Sequence, residues 1–288
     1  MGADFIRDVA LRCADQLATA GYTYQASDDR KTIWTYLSVK HRRIQTRPRK
    51  VYKAVYEVPT HLASGEQQLL TKVAAGDDLW PYQSRKIENV AVEDGMLNDY
   101  GIQHFHLGVA QDPKHSNLIQ GTNELLFAVV KNNDFYALGI FDHMAWSKQA
   151  LLDIIEKNWP KLIESYKLNG SPDMRALGLT HQYTDEEAAE LRRAGINVIT
   201  QGADGSVRMG PGGGVTTSGN SIAVTRELIA LKRHLEVLQK DVIDAMSGKG
   251  ASPHAEVQID WRGDVPFAVT VPPALEVDLG GCLSVPPL

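Results

Sequence analysis

Cysteine is scarce in this chain: Cys13 and Cys282 are the only two, and they lie near opposite ends of its 288 residues. This number and spacing argue against a disulfide framework and against a thiolate zinc site. No apolar run approaches the ~18 residues that a membrane span needs. Residues 1–7 lead directly into an amphipathic pattern instead of a signal peptide. We therefore expect a soluble, unexported, cytoplasmic protein with no cofactor and no membrane partner.

Acidic residues are missing from one segment. Residues 30–53 hold nine lysines and arginines and no carboxylate, whereas the whole chain has a net charge of −5. Trp34, Tyr36 and Tyr52 lie in the same segment. Cations that neutralise phosphates beside rings that stack on bases are typical of nucleic-acid-binding surfaces. A solvated strand face and a site for an acidic protein are the alternatives. The candidate nucleic-acid-binding residues are Lys40, Arg42, Arg43, Arg47, Arg49, Lys50 and Lys53.

The strongest chemical signal is the pair His104 and His106. On a strand, alternate side chains point to the same face, so both imidazoles would share one face of a sheet. Residues 125–130 and 135–141, joined by a turn at Asn132 and Asn133, are typical of a β-hairpin. His143 follows the second strand. Sheet pairing would then gather three imidazoles, the side chains best suited to proton transfer near neutral pH.

Three roles are open to these histidines. In metal-free RNA cleavage, one would remove the proton of a ribose 2′-hydroxyl and another would protonate the leaving oxygen. Tyr100 would share the proton transfer or stack on a base. In a metal site, the neutral imidazoles of this group would be ligands together with a carboxylate such as Asp142 or Asp112. In the third interpretation the histidines only hydrogen-bond within the fold.

The layout of residues 30–165 resembles that of small bacterial endoribonuclease toxins of the barnase, colicin and RelE-like group. An early basic region is followed by His104 and His106 on one strand, by His143 after a hairpin, and by a helix that contains Asn158-Trp159-Pro160. The resemblance implies that the three histidines supply acid and base. It also implies that Lys131, or a cation of the basic segment, supplies positive charge. The sequence departs from the group in having no arginine between Lys86 and Arg175.

The first part of the chain predicts an α+β domain over residues 1–168, mainly an antiparallel sheet with covering helices. A basic hairpin is expected at residues 32–58 around Arg47-Pro48-Arg49, and a turn at residues 98–101. Helices are expected at 4–20, 66–75 and 146–166, the last opened by Ser147 and interrupted near Pro160. A further strand is expected at 87–92. The breaker cluster at 169–172 is the expected domain boundary.

The second part predicts a smaller α+β module over residues 173–288. Thr184 and Glu187 match a capping box, and short strands are expected at 196–201 and 206–209. The glycine-rich residues 210–214 lack the lysine of a phosphate loop, which favours a surface loop. Apolar residues from Val224 onward follow heptad spacing, so the helix at 221–246 would cover its own domain or pair two copies into a homodimer. Strands at 257–261 and 267–271 complete the module.

The leading hypothesis from the sequence is an endoribonuclease of the bacterial toxin kind that cleaves RNA by histidine acid/base catalysis. Its catalytic residues would be His104, His106, His143 and Tyr100, without a metal. RNA or another nucleic acid is the expected partner, and an inhibitor protein is a further candidate. The first alternative is a noncatalytic nucleic-acid-binding or assembly protein of a phage or mobile element. The second is a metal-dependent hydrolase with histidine ligands.

Overall fold

The computed structural model describes residues 1–25, 28–143, 145, 148–168, 179–202 and 204–288. Within these residues the helices are α1 (Phe5–Thr19), α2 (Asp29–Arg42), α3 (Ala63–Ala75), α4 (Gly95–Tyr100), α5 (Ala150–Asn158), α6 (Asp185–Arg193) and α7 (Ile222–Gly248). The strands are β1 (Gly2–Ala3), β2 (Lys50–Lys53), β3 (Gln103–Phe105), β4 (Glu124–Val130), β5 (Asp134–Asp142), β6 (Thr200–Gln201), β7 (Val207–Arg208), β8 (Glu256–Arg262), β9 (Val265–Val271) and β10 (Glu276–Asp278). None of these helices is both long and apolar enough to cross a membrane.

The fold class is α+β with sheets rich in antiparallel pairing, as the sequence predicts. The chain forms two compact units. Unit 1 contains Met1–His41, Glu88–Ala91 and Val224–Leu288, and unit 2 contains Arg42–Ile87 and Val92–Ala223. The predicted boundary at 169–172 lies outside the described residues, and the division into 1–168 and 173–288 stays a prediction.

Unit 1 combines α1, most of α2 and α7 with the sheet β1-β8-β9-β10. The predicted first helix is confirmed: the Asp4 carboxylate caps it by accepting a hydrogen bond from the Arg7 amide at 3.0 Å. The predicted C-terminal hairpin is also confirmed, with β8 antiparallel to β9. α1 buries Phe5 and Cys13, and this burial raises the pKa of the Cys13 thiol to about 12. The thiol is therefore an unreactive core group.

The long predicted helix is confirmed as α7. Its apolar stripe is buried by the protein's own chain, and its buried members are Val224, Leu228, Leu235, Leu238, Val242 and Met246. Burial of the stripe within one chain accounts for the heptad spacing, because packing inside a domain uses nearly the same positions as a coiled-coil seam. Pairing of two copies through residues 221–246 stays a prediction.

The prediction of a basic hairpin is wrong, because residues 32–39 belong to the helix α2 and not to a strand. Ile33, Tyr36 and Leu37 have helical spacing and are buried. The hydroxyls of Thr32 and Thr35 donate hydrogen bonds at 2.9 Å to carbonyls one helical turn earlier. Residues 32–39 are buried on almost every side of the helix, and the β-branched and aromatic residues among them mimic a strand in the sequence. Only the short strand β2 forms in the second half of the expected hairpin.

Unit 2 is built on the sheet β2-β5-β4-β3. The predicted hairpin is confirmed as the antiparallel pair β4 and β5, while β2 runs parallel to β5. Side chains alternate between two cores. Phe105, Leu126 and Phe135 join the core on one face, which α3 covers with Leu69 and Val73. The core on the other face is covered by α5, and its members include Phe127, Leu138, Leu151, Leu152 and Ile155.

Two predictions before the histidine strand are wrong. Residues 87–92 form no strand; a single turn of 3₁₀ helix, Arg85–Glu88, lies there instead. Instead of the expected turn, residues 98–100 form the last turn of α4, and Gly101 follows as the C-terminal cap. The Asp94 carboxylate caps this helix by accepting hydrogen bonds from the amides of Met96 and Leu97 at 3.1 and 3.0 Å. Gly101, at φ +66°, ends it.

The glycine-rich loop at residues 210–214 packs against the C-terminal end of α4. The amides of Gly212 and Gly214 donate to the carbonyls of Asp99 and Asn98 at 2.9 and 2.7 Å. A Cβ on Gly212 would lie 2.2 Å from the Leu97 carbonyl oxygen, so only glycine permits this approach. The loop amides therefore satisfy the last carbonyls of α4, and close packing against this helix explains the glycines of the expected surface loop.

The remaining elements of unit 2 are α5, α6 and the hairpin β6-β7. α5 ends before Pro160, while the predicted opening of this helix at residues 146–147 lies outside the described residues. The capping box of α6 is confirmed, with Thr184 and Glu187 bonded in both directions. β6 and β7 confirm the predicted short strands. Arg208 of β7 is fully buried and pairs with Asp153 and Glu156 of α5.

Candidate functional site

The site begins at the edge strand β3, where alternation separates neighbouring side chains. Phe105 faces the core under α3, so His104 faces the other side of the sheet. His104 pairs with Phe127 of β4, and the ring centroids of the two residues are 6.1 Å apart. Its side chain is only 7% exposed. His106 follows the strand, and its amide donates to the Tyr82 carbonyl at 2.7 Å.

His143 comes to the same place because the end of β3 and the end of β5 both pair with the beginning of β4. β4 separates these two strands in the sheet, and His143 is the first residue after β5. The ring centroids of His106 and His143 are 5.6 Å apart. His143 also lowers the pKa of His104 by charge repulsion. The three predicted catalytic histidines therefore form one group.

A cavity of about 560 Å³ opens at this group, entirely within unit 2. His104 and His143 line it. Four cationic side chains line it as well, and these are Arg42, Lys86, Arg192 and Arg193. Glu93 and Asp94 contribute the two carboxylates. The volume falls in the usual range for small-ligand sites, and the excess of positive charge favours an anionic ligand.

Burial sets the protonation of two of the histidines. It lowers the pKa of His104, and the charges of His143 and Lys86 act in the same direction while Asp94 opposes them. Burial also lowers the pKa of His106 to about 4, assisted by the other two histidines. The Thr122 amide donates to Nδ1 of His106 at 3.0 Å, so the neutral ring carries its proton on Nε2. His104 and His106 are both uncharged near pH 7.

Arg192 reaches the cavity from the last turn of α6. Its Nε and Nη2 atoms bind Oδ2 of Asp99 at 2.9 and 2.7 Å. Its guanidinium lies over the ring of Tyr100, 4.5 Å from the centroid. Tyr100 itself is fully buried, and this burial raises the pKa of its hydroxyl to about 12. Tyr100 thus supports Arg192 from the core and does not line the cavity.

Most of the predicted nucleic-acid-binding residues lie elsewhere. Arg42 alone among them lines the cavity. Lys40 pairs with Glu227 in unit 1, and Lys53 pairs with Glu66 at 2.7 Å. The guanidinium of Arg43 lies over Trp80, 4.5 Å from the ring centroid.

The other members of the predicted set lie near or on β2. Arg49 is buried, and its guanidinium donates to the carbonyls of Gln45, Arg47 and Lys131 at 2.9, 3.1 and 2.9 Å. It is a structural arginine. Lys50 pairs with the first residue of β5, whereas His143 follows the last, and a strand of nine residues spans about 27 Å. Lys131 lies in the turn before β5, at the same distant end.

The carboxylates considered as metal ligands are committed to other contacts. Asp112 binds Arg85 at 2.5 Å and accepts hydrogen bonds from the amides of Lys114 and His115. Asp142 lies 3.8 Å from the Lys148 ammonium. Across the described ranges, no group of three or more histidine, cysteine, aspartate or glutamate side chains is arranged to hold a metal ion.

Several cavity residues gave no signal in the sequence. Arg192 and Arg193 lie on α6, and Arg192 is 93 residues away from Asp99 in the sequence. Only the fold brings these arginines to the histidines. Lys86 lies just before the segment predicted as a strand, in the 3₁₀ turn Arg85–Glu88. Gln83 and Gln103 line the cavity too, each 7% exposed. A pair of adjacent arginines at a helix end is too common on protein surfaces to indicate a site.

Comparison of the chain with protein-family models, with curated proteins and with solved structures finds no match.

Proposed function

We propose that the cavity binds a phosphodiester of RNA and cleaves it by metal-independent acid/base catalysis, as in bacterial endoribonuclease toxins. The observation that carries the proposal is that His104 and His143 share one cavity with four cationic side chains. Two imidazoles provide the base and the acid for this reaction, and the cations bind the phosphate.

His104 is the base in this scheme. Burial lowers its pKa, so its ring is neutral near pH 7 and has a nitrogen lone pair that can take a proton. It would remove the proton of a ribose 2′-hydroxyl. The 2′-oxygen then attacks phosphorus, and the bond from phosphorus to the 5′-oxygen breaks.

His143 is the acid, because it lies at the exposed end of the histidine group. It would give its proton to the departing 5′-oxygen. Lys86 and Arg193 would stabilise the negative charge that builds up on the phosphoryl oxygens. The products would be a 2′,3′-cyclic phosphate and a 5′-hydroxyl, which together account for every proton and every bond.

The test is cleavage of labelled single-stranded RNA by the full chain in the presence of a chelator. We expect His104→Asn and His143→Ala each to lower the rate by at least about 100-fold, because each removes a proton carrier. His254→Asn, in unit 1, is the matched control and should cleave at the wild-type rate. Circular dichroism and a melting curve would show that the variants fold. Full activity in both cavity variants would refute the proposal.

A second candidate function is binding of single-stranded nucleic acid without cleavage, as in an assembly protein of a phage or mobile element. It is favoured by a row of half-buried rings at β2 and β5. Tyr52 and Tyr136 stack at 4.9 Å and 10°, and Trp159 meets Tyr136 at 5.1 Å. The Lys50 ammonium lies 4.9 Å from the Tyr52 ring. This function would give salt-sensitive binding that Tyr52→Ala weakens, with no turnover.

The proposal includes a cytoplasmic site of action, which the scarcity of cysteine supports. On this proposal we also expect two copies to pair through α7 and an inhibitor protein to cover the cavity. Gel filtration with light scattering would measure the first. Capture of a small acidic protein that blocks cleavage would support the second.

A further inference from the structure

Two buried amides in the cavity wall have an uneven hydrogen-bonding pattern. Nε2 of Gln83 and Nε2 of Gln103 donate to the same oxygen, the carbonyl of Arg42, at 3.1 and 3.3 Å. Arg42 is the last residue of α2, so this carbonyl has no partner within its helix. The two amides therefore cap the helix from the side of the cavity.

This shared contact fixes the orientation of both amides. If either were turned over, its oxygen would face the Arg42 carbonyl, and two acceptors would meet. The Oε1 atoms of Gln83 and Gln103 must therefore point away from that carbonyl. Within the described part of the chain, neither oxygen accepts a hydrogen bond, although both are buried. Buried acceptors of this kind normally have a donor.

We infer that Gln83 and Gln103 read the base of the bound nucleotide and select bases that carry an exocyclic amino group. The inference rests on the proposed function and names its substrate more closely. Cytosine, adenine and guanine each present an amino group with two N–H donors, whereas uracil presents a carbonyl at the position of the cytosine amine. The two Oε1 acceptors match the amino group of these three bases, and they repel the uracil carbonyl oxygen.

The rest of the cavity suits a nucleotide in this orientation. Ile87 and Met96 give it an apolar wall for a base, and both are buried apart from their cavity surface. Lys86 and Arg193 are more exposed and would take the phosphate. Because the protein covers the two oxygens, the base would reach them after small side-chain displacements, as is common at binding sites.

The test uses pairs of nucleotides that differ at the amino group. Deoxycytidine and deoxyuridine 5′-monophosphates form one pair, and deoxyadenosine and deoxyinosine 5′-monophosphates form the other. Calorimetry with the full chain should give about 10-fold tighter binding of the amino member in each pair, because a polar site rejects a ligand that leaves its groups unpaired. Equal affinities in the wild-type protein would overturn the inference, whatever the behaviour of any variant.

Variants then assign the selectivity to the two amides. Gln83→Met and Gln103→Met should each bring the ratio close to one and leave the affinity for inorganic phosphate unchanged. Gln68→Met, on the exposed face of α3, should keep the wild-type ratio. A wild-type ratio in both cavity variants would overturn the assignment.

These nucleotides have no 2′-hydroxyl and no second nucleotide, so their binding is measured without cleavage. Selective binding by a protein that leaves RNA intact would refute the proposed function and keep the base-reading role. Cleavage of RNA without any preference for amino bases would refute the base-reading role and keep the proposed function.

Discussion

The two edges of the sheet in unit 2 share a positive character but use it differently. At the β2 edge, Arg49 is buried under three carbonyls and Lys53 pairs with Glu66, so the basic residues serve the fold. At the β3 edge, Lys86 and Arg193 line a cavity beside His104. Charge density along the sequence therefore does not locate the site. What matters is whether the fold leaves the cations around a space that a ligand can enter.

The largest expected effect is on stability at the β2 edge. Arg49→Met should lower the free energy of unfolding by about 3 kcal/mol, because three carbonyls lose a charged donor. Arg47→Met, its matched control, should change it by less than ~0.5 kcal/mol. Urea unfolding measures both. If Arg49→Met kept the wild-type free energy of unfolding but no longer bound nucleic acid, Arg49 would be a binding residue. The contrast between the two edges would then fail.

The next effect concerns binding at the two edges. The double variant Lys86→Gln/Arg193→Gln should weaken binding of short RNA by about 30-fold and reduce its salt slope by about two, since each cation neutralises about one phosphate. Arg47→Gln/Lys50→Gln should change affinity by less than ~2-fold on the same account. Fluorescence anisotropy at several salt concentrations gives both values. The opposite ranking would favour the second candidate function, with the binding surface at the β2 edge.

Stability should also depend on pH through His106. Its folded-state pKa of about 4 is below the ordinary 6.5, so the unfolded chain takes up the proton first as pH falls. The contribution of neutral His106 to the free energy of unfolding is complete above pH 6.5 and is lost between pH 6.5 and 4. At pH 4.5 the loss is on the order of 2 kcal/mol. His106→Asn should flatten this part of the curve. An equally steep curve in the variant would assign the effect to other groups.

The smallest effect concerns the start of α6. Thr184→Ala removes a capping hydroxyl and should cost about 1 kcal/mol of stability. Arg192 and Arg193 lie at the other end of this helix, held by Asp99 and Ala189, so RNA affinity should stay within ~2-fold of wild type. A large loss of affinity would mean that α6 positions its arginines as a whole.

The sequence predicts those features of the site that depend on neighbouring residues. Alternation along β3 and the hairpin β4-β5 are enough to bring the three histidines together, because strand pairing follows local patterns. The sequence does not indicate the helix α2, because its residues are buried on almost every side and this removes the amphipathic signal. The cations and glutamines of the cavity come from segments far apart in the chain, and no local pattern connects them.

The most direct test of the central claim is the chemical nature of the ends produced when the full chain cleaves RNA in excess chelator. Acid/base catalysis by His104 and His143 predicts a 2′,3′-cyclic phosphate on one fragment and a 5′-hydroxyl on the other, which mass spectrometry identifies directly. Fragments with 5′-phosphate ends, or RNA that stays intact under all conditions, would contradict the account.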